Sequence, residues 1–353
     1  MKSNFIIMIV VNARFLTQRV TGVQRFAVEI SKTLRKLNKQ IVFVTHHGIL
    51  DQNLADELGA LVIGTNKGTL WEQIDVRGYL ILNNKPLLIN FCNTGLLFYK
   101  KQVVTIHDMA YKVNPKWFSK RFYLWYNFLI PNIAKNSLRI FTVSNSSKND
   151  ITRYLKINPE KISVIYNSCY LNTNNNFEDF NGEKYLLSVS SLDSRKNLEN
   201  LIGAFNKIDE KIKLVIVGLE SDNFDFVLNK GLLNENIILK GYVTDNELGS
   251  LFNNAGVFLS VSLYEGFGLP ALEAMAMRCP VIVSDIPAHR EVCGSAALYV
   301  NPHDIDDIKN KINKLLCDND LRKKLILSGE ENIKKFDWFN SAQKILNYIN
   351  EIS

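Results

Sequence analysis

No stretch of this chain strings together the roughly 18–20 apolar residues that a bilayer-spanning helix needs, which excludes an embedded helical bundle. The opening MKSNFIIMIVVNAR has a short apolar run and no small-residue cleavage site after it, so it predicts a buried strand rather than a cleaved leader. Cysteine is sparse. Cys92, Cys169, Cys279, Cys293 and Cys317 are odd in number, scattered and without Cys-x-x-Cys spacing. That excludes a disulfide framework, argues against a zinc site and predicts reduced thiols in a cytoplasm. The Gly-x-Gly-x-x-Gly fingerprint is missing, so a nicotinamide dinucleotide reading gains little. No arginine-rich run or zinc-finger spacing singles out a nucleic acid, and there is no low-complexity tract or repeat of 20–50 residues.

What is present is ordinary for a soluble protein with room for two domains: 353 residues, 46% hydrophobic and 22% charged. The net charge of +7 suits a polyanion, an anionic small molecule or a membrane surface. Short apolar, β-branched runs are expected as strands over 5–11, 41–45, 87–91, 103–106, 140–143 and 162–166, then over 185–189, 213–217, 237–239, 257–261 and 281–283. Helical patterns over 22–37, 146–155, 198–208 and 270–277 fall between them. Buried strands alternating with helices predict an α/β fold of parallel sheets covered on both faces. An Asn-rich, aperiodic stretch at 168–184 reads as a linker. It divides the chain into residues 1–167 and 185–337, two Rossmann-like domains facing across a cleft, with a tail helix over 338–353 that can cross back to the N-terminal domain.

The chemistry concentrates in SLYEGFGLPALE, residues 262–273. Glu265 and Glu273 stand eight positions apart and flank Gly266, Gly268 and Pro270, between an expected strand and an expected helix. Pro270 suits a first helical turn, the glycines permit close backbone approach, and free amides at a helix start attract phosphate. Carboxylates on either side are good acceptors for hydroxyls. A ligand with hydroxyls on both sides of its phosphates, such as a nucleoside-diphosphate sugar, fits that pattern. The plainer alternative is a tight turn with surface glutamates.

EGFGLPALEAMA followed by PVIVSD resembles the E-x7-E signature of family 4 retaining glycosyltransferases, and the likeness runs on through PVIVSDIPAHREVCGSAALYVNPHD as strand, turn and helix. The resemblance implies the GT-B fold, an acceptor-binding N-terminal domain and a nucleotide-sugar-binding C-terminal domain. It implies that Glu265 binds donor-sugar hydroxyls and Glu273 the ribose. The backbone of Gly266, Phe267, Gly268 and Leu269 would face the diphosphate, and Arg195 and Lys196 in LDSRKN would hold it and stabilise the leaving group. Two cations at a helix start do not help the helix dipole, so an anion between them explains their place better than solvation alone. Many members carry another arginine where this chain has Ser191, so one phosphate contact is either missing or supplied by Arg195.

The N-terminal half offers further candidates. His107 and Asp108 follow a strand in VTIHDMAY, where the resemblance puts a histidine near the reacting sugar; the histidine is otherwise structural, and Asp108 either orients it, contacts the acceptor or caps the turn. TGVQR resembles the N-terminal loop of mannosyltransferase-like members, with Gly22 allowing backbone approach to donor or acceptor. Arg14 and Arg25 are candidate anion or acceptor contacts, and Arg25 reads equally as a helix-surface charge. LWEQIDV and NFCNTG look like further pieces of that subgroup, with acceptor contact as a guess. Trp117, Phe118, Phe122, Trp125 and Phe128, set among Lys116, Lys120, Arg121 and Lys135, fit a membrane interface or a core-packed helix with snorkelling lysines. The triplets Asp304–Asp306 and Asp318–Asp320 precede helices, so capping explains them better than a metal. Arg278 stands at a helix end where the family favours glycine, which predicts mild strain.

Together these imply a metal-independent enzyme without a cofactor, transferring a hexose to a saccharide hydroxyl. Mannose from GDP-mannose is the first donor. The acceptor would be a lipid-linked O-antigen or capsule oligosaccharide, and the protein would be cytoplasmic with room for peripheral contact at the inner membrane. The rivals are a GT-B nucleotide-sugar epimerase and a non-catalytic nucleotide-sugar-binding subunit.

Overall fold

A computed structural model describes residues 8–171, 185–190, 193–208, 211–218 and 231–352. Ser191, most of the expected linker and residues 5–7 of the first expected strand lie outside the described residues. The chain divides into two compact units, Met1–Asn167 with Asp337–Ser353, and Ser168–Phe336.

In unit 1 the strands are β1 (Ile9–Asn12), β2 (Val42–Thr45), β3 (Leu61–Val62), β4 (Leu87–Asn90), β5 (Gln102–Thr105), β6 (Arg139–Thr142) and β7 (Ile162–Val164). They pair in parallel in the order β3-β2-β1-β4-β5-β6-β7. In unit 2, β8 (Tyr185–Val189), β9 (Lys213–Val217), β10 (Ile237–Lys240), β11 (Val257–Ser260), β12 (Val281–Ser284) and β13 (Ala297–Val300) form a second parallel sheet, ordered β10-β9-β8-β11-β12-β13. Each sheet grows outward both ways from its first strand. The reversal falls between β1 and β4 in one unit and between β8 and β11 in the other, and that is where doubly wound sheets hold ligands, beyond the strands' carboxyl ends.

Several expected strands overrun. Phe91, Ile106, Val143 and Val261 are buried, yet pairing stops one residue before each. Apolar character reports burial, and here burial outlasts the ladder by a residue at the carboxyl ends of these strands. Two strands were not expected. β3 is two exposed residues within the short apolar run at 60–63, and β13 lies within the stretch read as strand, turn and helix. The helix expected over 198–208 ends at Phe205.

The tail helix Trp338–Ile352 packs on the helix Gly22–Leu37 of unit 1, burying Ala342, Ile345 and Ile349. The Trp338 ring meets Phe26 edge-on at 6.1 Å, and Ser341 Oγ donates to the Tyr166 carbonyl at 2.8 Å. Asp304 Oδ1 accepts from the amides of Asp306 and Asp307, and Asp318 Oδ1 from that of Leu321, so both Asp-x-Asp triplets begin with a helix cap. Arg278 has φ +58°, a left-handed conformation that disfavours a side chain.

Candidate active site

In unit 2 two loops meet at the β8/β11 switch point. Leu263 N donates to Arg195 O at 2.8 Å and ties them together. Asn197, at φ +57°, donates Nδ2 to the Val261 and Pro302 carbonyls, fixing the turn that starts the helix Leu198–Phe205. This frame holds Lys196 Nζ 2.7 Å from Glu265 Oε1, with Arg195 NH1 3.9 Å from Glu265 Oε2. Glu265 is 9% exposed and Glu273 3%, which rules out the surface-glutamate reading of this turn.

The helix Leu269–Ala276 starts from Gly268, whose φ of +93° is open to glycine and strained for other residues. No side chain caps this start; Ala271 N closes the turn on Gly268 O at 3.1 Å and Pro270 has no N–H, which leaves the Leu269 amide as the donor of that first turn. His289 lies against this glycine: a Cβ on Gly268 would come within 2.8 Å of His289 Cδ2 and 3.2 Å of Nε2. His289 is fully buried, its Nδ1 is 3.1 Å from the Ser284 carbonyl, and Nε2 has no partner among the described residues. Phe267 turns its ring inward onto Phe336, at 5.7 Å and edge-on, so what it can offer a ligand is backbone.

In unit 1 the ends of β1, β4 and β5 carry a polar cluster. A π-helical stretch, Trp71–Val76, buries Glu72 beside them. Glu72 Oε1 accepts from Asn12 Nδ2 at 2.9 Å, and Oε2 accepts from Arg14 NH1 and Thr94 Oγ1 at 2.8 Å each. Asn12 Nδ2 also reaches Asn90 Oδ1 at 3.0 Å, and Gln73 bonds the Gly95 carbonyl and the Leu97 amide. LWEQIDV and NFCNTG are thus two sides of one braced structure around Arg14. Beyond β5, His107 Nε2 donates to the Phe91 carbonyl at 2.7 Å, its ring stands edge-on to Phe26, and Asp108 Oδ1 accepts from Ala110 N at 2.9 Å.

The description Glycosyl transferases group 1 matches residues 172–332, and Glycosyltransferase Family 4 matches residues 20–171. The O-antigen chain mannosyltransferase RfbU of Salmonella typhimurium is 30% identical over 282 residues, covering 78% of this chain and 76% of that protein. The chain belongs to glycosyltransferase family 4. The O-antigen chain mannosyltransferase B of Escherichia coli is 25% identical over 93% of this chain and 95% of its own. HepE of Anabaena, in complex with UDP and glucose, superposes with a TM-score of 0.76 at 16% identity over 98% of this chain and all of its own. WaaG, a glycosyltransferase of lipopolysaccharide biosynthesis, gives 0.76 at 16% over 97% and 99%. The fold is GT-B, and the protein is an enzyme that transfers hexosyl groups.

In this glycosyltransferase Arg195, Lys196 and Glu265 of unit 2 come together in space. The electrostatics there are set by Glu265. Burial pushes that carboxyl up, but Lys196 first, then Arg195 and His289, outweigh it and hold it at about 2. It is ionised at neutral pH and accepts hydrogen bonds only, so it is unsuited to donating a proton. Burial lowers the His289 and His107 pKa values, leaving both rings neutral at pH 7. In His107 the Phe91 bond fixes the proton on Nε2, which leaves Nδ1 as an acceptor.

The candidates of unit 1 divide. His107 and Asp108 sit at the end of β5, and Asp108 caps the following turn. Gly22 opens the Gly22–Leu37 helix with nothing within 4 Å of where a Cβ would stand. Arg25 pairs with Glu29 at 3.6 Å along that helix, and with its side chain only 13% exposed it is not the solvated helix-surface charge of the plainer reading. Arg14, expected to meet an external anion, has an internal one in Glu72. The aromatic segment splits: Phe118 and Phe122 pack on the core, while Trp125 and Phe128 are exposed. Glu72 and His289 were not singled out from sequence. A lone Glu in an amphipathic stretch and a His one turn after a strand carry no local signal of what they will be buried against.

Proposed function

We propose that this glycosyltransferase is a retaining enzyme that moves a hexose from a nucleotide donor to a saccharide hydroxyl. Mannose from GDP-mannose is the first choice of donor and a lipid-linked O-antigen or capsule oligosaccharide the acceptor. The observation that carries the reading is Glu265, held ionised by Lys196 and Arg195 beside an uncapped helix start at a sheet switch point. The diphosphate would take the amides at Gly268 and Leu269, with the two cations alongside. Glu265 would accept hydroxyls of the transferred sugar and Glu273 those of the ribose. As the glycosidic bond breaks, charge grows on the departing phosphate, and cations and helix amides already in place stabilise it without reorganising. That phosphate then takes the proton of the attacking hydroxyl, so no covalent enzyme intermediate is needed. His107, neutral and of fixed tautomer, would orient the reacting sugar. The mannosyltransferase relatives favour mannose, and the UDP of HepE keeps uridine donors in contention.

A thermal-shift screen against GDP-, UDP- and dTDP-sugars tests this. One donor at a hundredfold excess over its Kd stabilises the folded state by about 2.7 kcal/mol and raises the melting temperature by several degrees. No shift with any of them refutes the proposal.

The same reading gives the helix Lys120–Asn136 a second task. Leu124, Trp125 and Phe128 share one exposed face beside the exposed Lys120 and Arg121. Apolar tips ringed by cations suit an anionic membrane surface bearing a lipid-linked acceptor. Among the described residues no helix is long and apolar enough to cross a membrane. Co-sedimentation with phosphatidylglycerol vesicles, weaker with phosphatidylcholine and lost in Trp125→Ala/Phe128→Ala, is the expected result. Equal sedimentation of the variant removes this surface from the proposal.

A further inference from the structure

The chain passes between its two units twice, once after Asn167 and once after Phe336. The two crossings are tied to each other on both sides. In unit 2, Ser168 Oγ donates to the Phe336 carbonyl at 2.9 Å, and in unit 1, Ser341 Oγ donates to the Tyr166 carbonyl at 2.8 Å. The second crossing carries one aromatic residue on each side of Asp337.

Each of those rings leads to a cluster already described. In unit 2 the segment before the crossing packs on the helix Leu269–Ala276. A Cβ on Gly329 would stand 3.3 Å from Met275 Cβ, and Asn332 Nδ2 donates to the Val292 carbonyl at 2.7 Å. Phe336, 8% exposed, then meets the Phe267 ring edge-on at 5.7 Å, one residue before Gly268. In unit 1 the Trp338 ring meets Phe26 edge-on at 6.1 Å, and the fully buried Phe26 stands edge-on to His107 at 5.1 Å.

Little slack separates these contacts. Two residue steps join Phe336 to Trp338, at most about 7 Å of chain. Both flanks are held: Phe336 N donates to Ile333 O at 3.0 Å, and Asp337 starts the tail helix, with Oδ1 accepting from Asn340 N at 2.7 Å and its carbonyl from Ser341 N at 3.0 Å. A shift of the Phe267 turn is either absorbed by repacking at Phe336 or passed on to Trp338, and close-packed interiors absorb little.

We infer that Phe336 and Trp338 are positioning residues that link occupancy of the Gly268 turn by a nucleoside diphosphate to the setting of His107. Each acts through a neighbour, Phe267 on one side and Phe26 on the other. The nucleotide at that turn rests on the function proposed above; the linkage goes beyond it.

Hydrogen exchange on the full chain reads both ends at once, with bare GDP and UDP as probes that carry no hexose to reach His107. In the wild type, nucleotide is expected to protect the peptide 262–273 and, with it, the peptide 102–111. Phe336→Leu and Trp338→Leu stay apolar and lose the ring. Each should leave protection at 262–273 within about twofold and cut the response at 102–111 at least about threefold. The double variant should lose no more than either single one, because both rings sit on one route. Phe339→Ala, at an exposed neighbour on the tail helix, should keep the whole response. A response at 102–111 that survives in both variants, or that vanishes only together with protection at 262–273, would reduce the two rings to core packing and overturn the inference. Wild-type protection at 262–273 with none at 102–111 overturns it too and spares the nucleotide site. No protection at 262–273 with either probe refutes the nucleotide site, and the inference falls with it.

Discussion

Removing the ammonium of Lys196 exposes what holds Glu265. The carboxyl is buried, its ordinary value is 4.5, and the cations around it bring it to about 2. At about 1.4 kcal/mol per pH unit, that difference represents about 3 kcal/mol of stability. The sign follows from the depressed value. The contribution is complete above the unfolded value near 4.5 and is lost as pH falls toward 2. Lys196→Met keeps the aliphatic stem and deletes the charge. Arg195 remains, but at 3.9 Å against 2.7 Å for Lys196, so most of the compensation goes and burial then drives the Glu265 value up. Breaking a buried pair by removing one partner costs about 3–5 kcal/mol, and the low end suits a site that keeps one cation. The four tryptophans, Trp71, Trp117, Trp125 and Trp338, all belong to unit 1, so bulk fluorescence is blind to this change. Hydrogen exchange of peptides from β8 and β11 reads it directly, variant against wild type at each pH. The variant should exchange faster at pH 7 by roughly two orders of magnitude, and the gap should shrink as pH falls toward 3 and Glu265 takes a proton. Glu265→Gln added to Lys196→Met should recover part of the loss. A gap that stays constant from pH 7 to 3, or no gap, would show that the pair does not carry the energy assigned to it.

Three other perturbations probe separate features. Gly268→Ala meets both a positive φ and a His289 contact at 2.8 Å, so it should cost about 2–3 kcal/mol in unit 2 and abolish any nucleotide-sugar melting shift, as calorimetry with and without ligand would report. Arg278→Gly should relieve about 1 kcal/mol of left-handed strain against a small loss from the exposed pair with Glu330 at 3.0 Å, giving a slightly higher melting temperature for unit 2. Ile345→Ala, in the buried face of the tail helix, should cost about 2–5 kcal/mol and speed exchange in the Gly22–Leu37 helix while leaving β8 and β11 unchanged.

The cluster around Glu265 in unit 2 was legible because its parts are local. Pro270, Gly266, Gly268 and the two glutamates sit within nine residues, and a strand-to-helix turn needs little beyond its own sequence to take shape. Arg195 and Lys196 could be named from their misfit with the helix dipole, and the left-handed Arg278 and the Asp304 and Asp318 caps from the rules of helix ends. The polar cluster of unit 1 was not legible in the same way. Glu72, Asn12, Asn90 and Thr94 are separated by up to 82 residues and meet across a sheet, so no window of sequence contains their shared purpose.

The sequence by itself determined the alternation of strand and helix, the family and the glycine turn that a diphosphate could meet, because backbone propensity and burial are written in short windows. The tertiary structure decided which charges face one another. It paired Glu265 with Lys196 and gave Arg14, expected to meet an external anion, an internal one in Glu72. It also set His289 under Gly268 and divided the Lys120–Asn136 aromatics between core and surface. A side chain's ionisation and its free hydrogen-bonding edges depend on neighbours brought in by topology, and strand order is not written in any one strand.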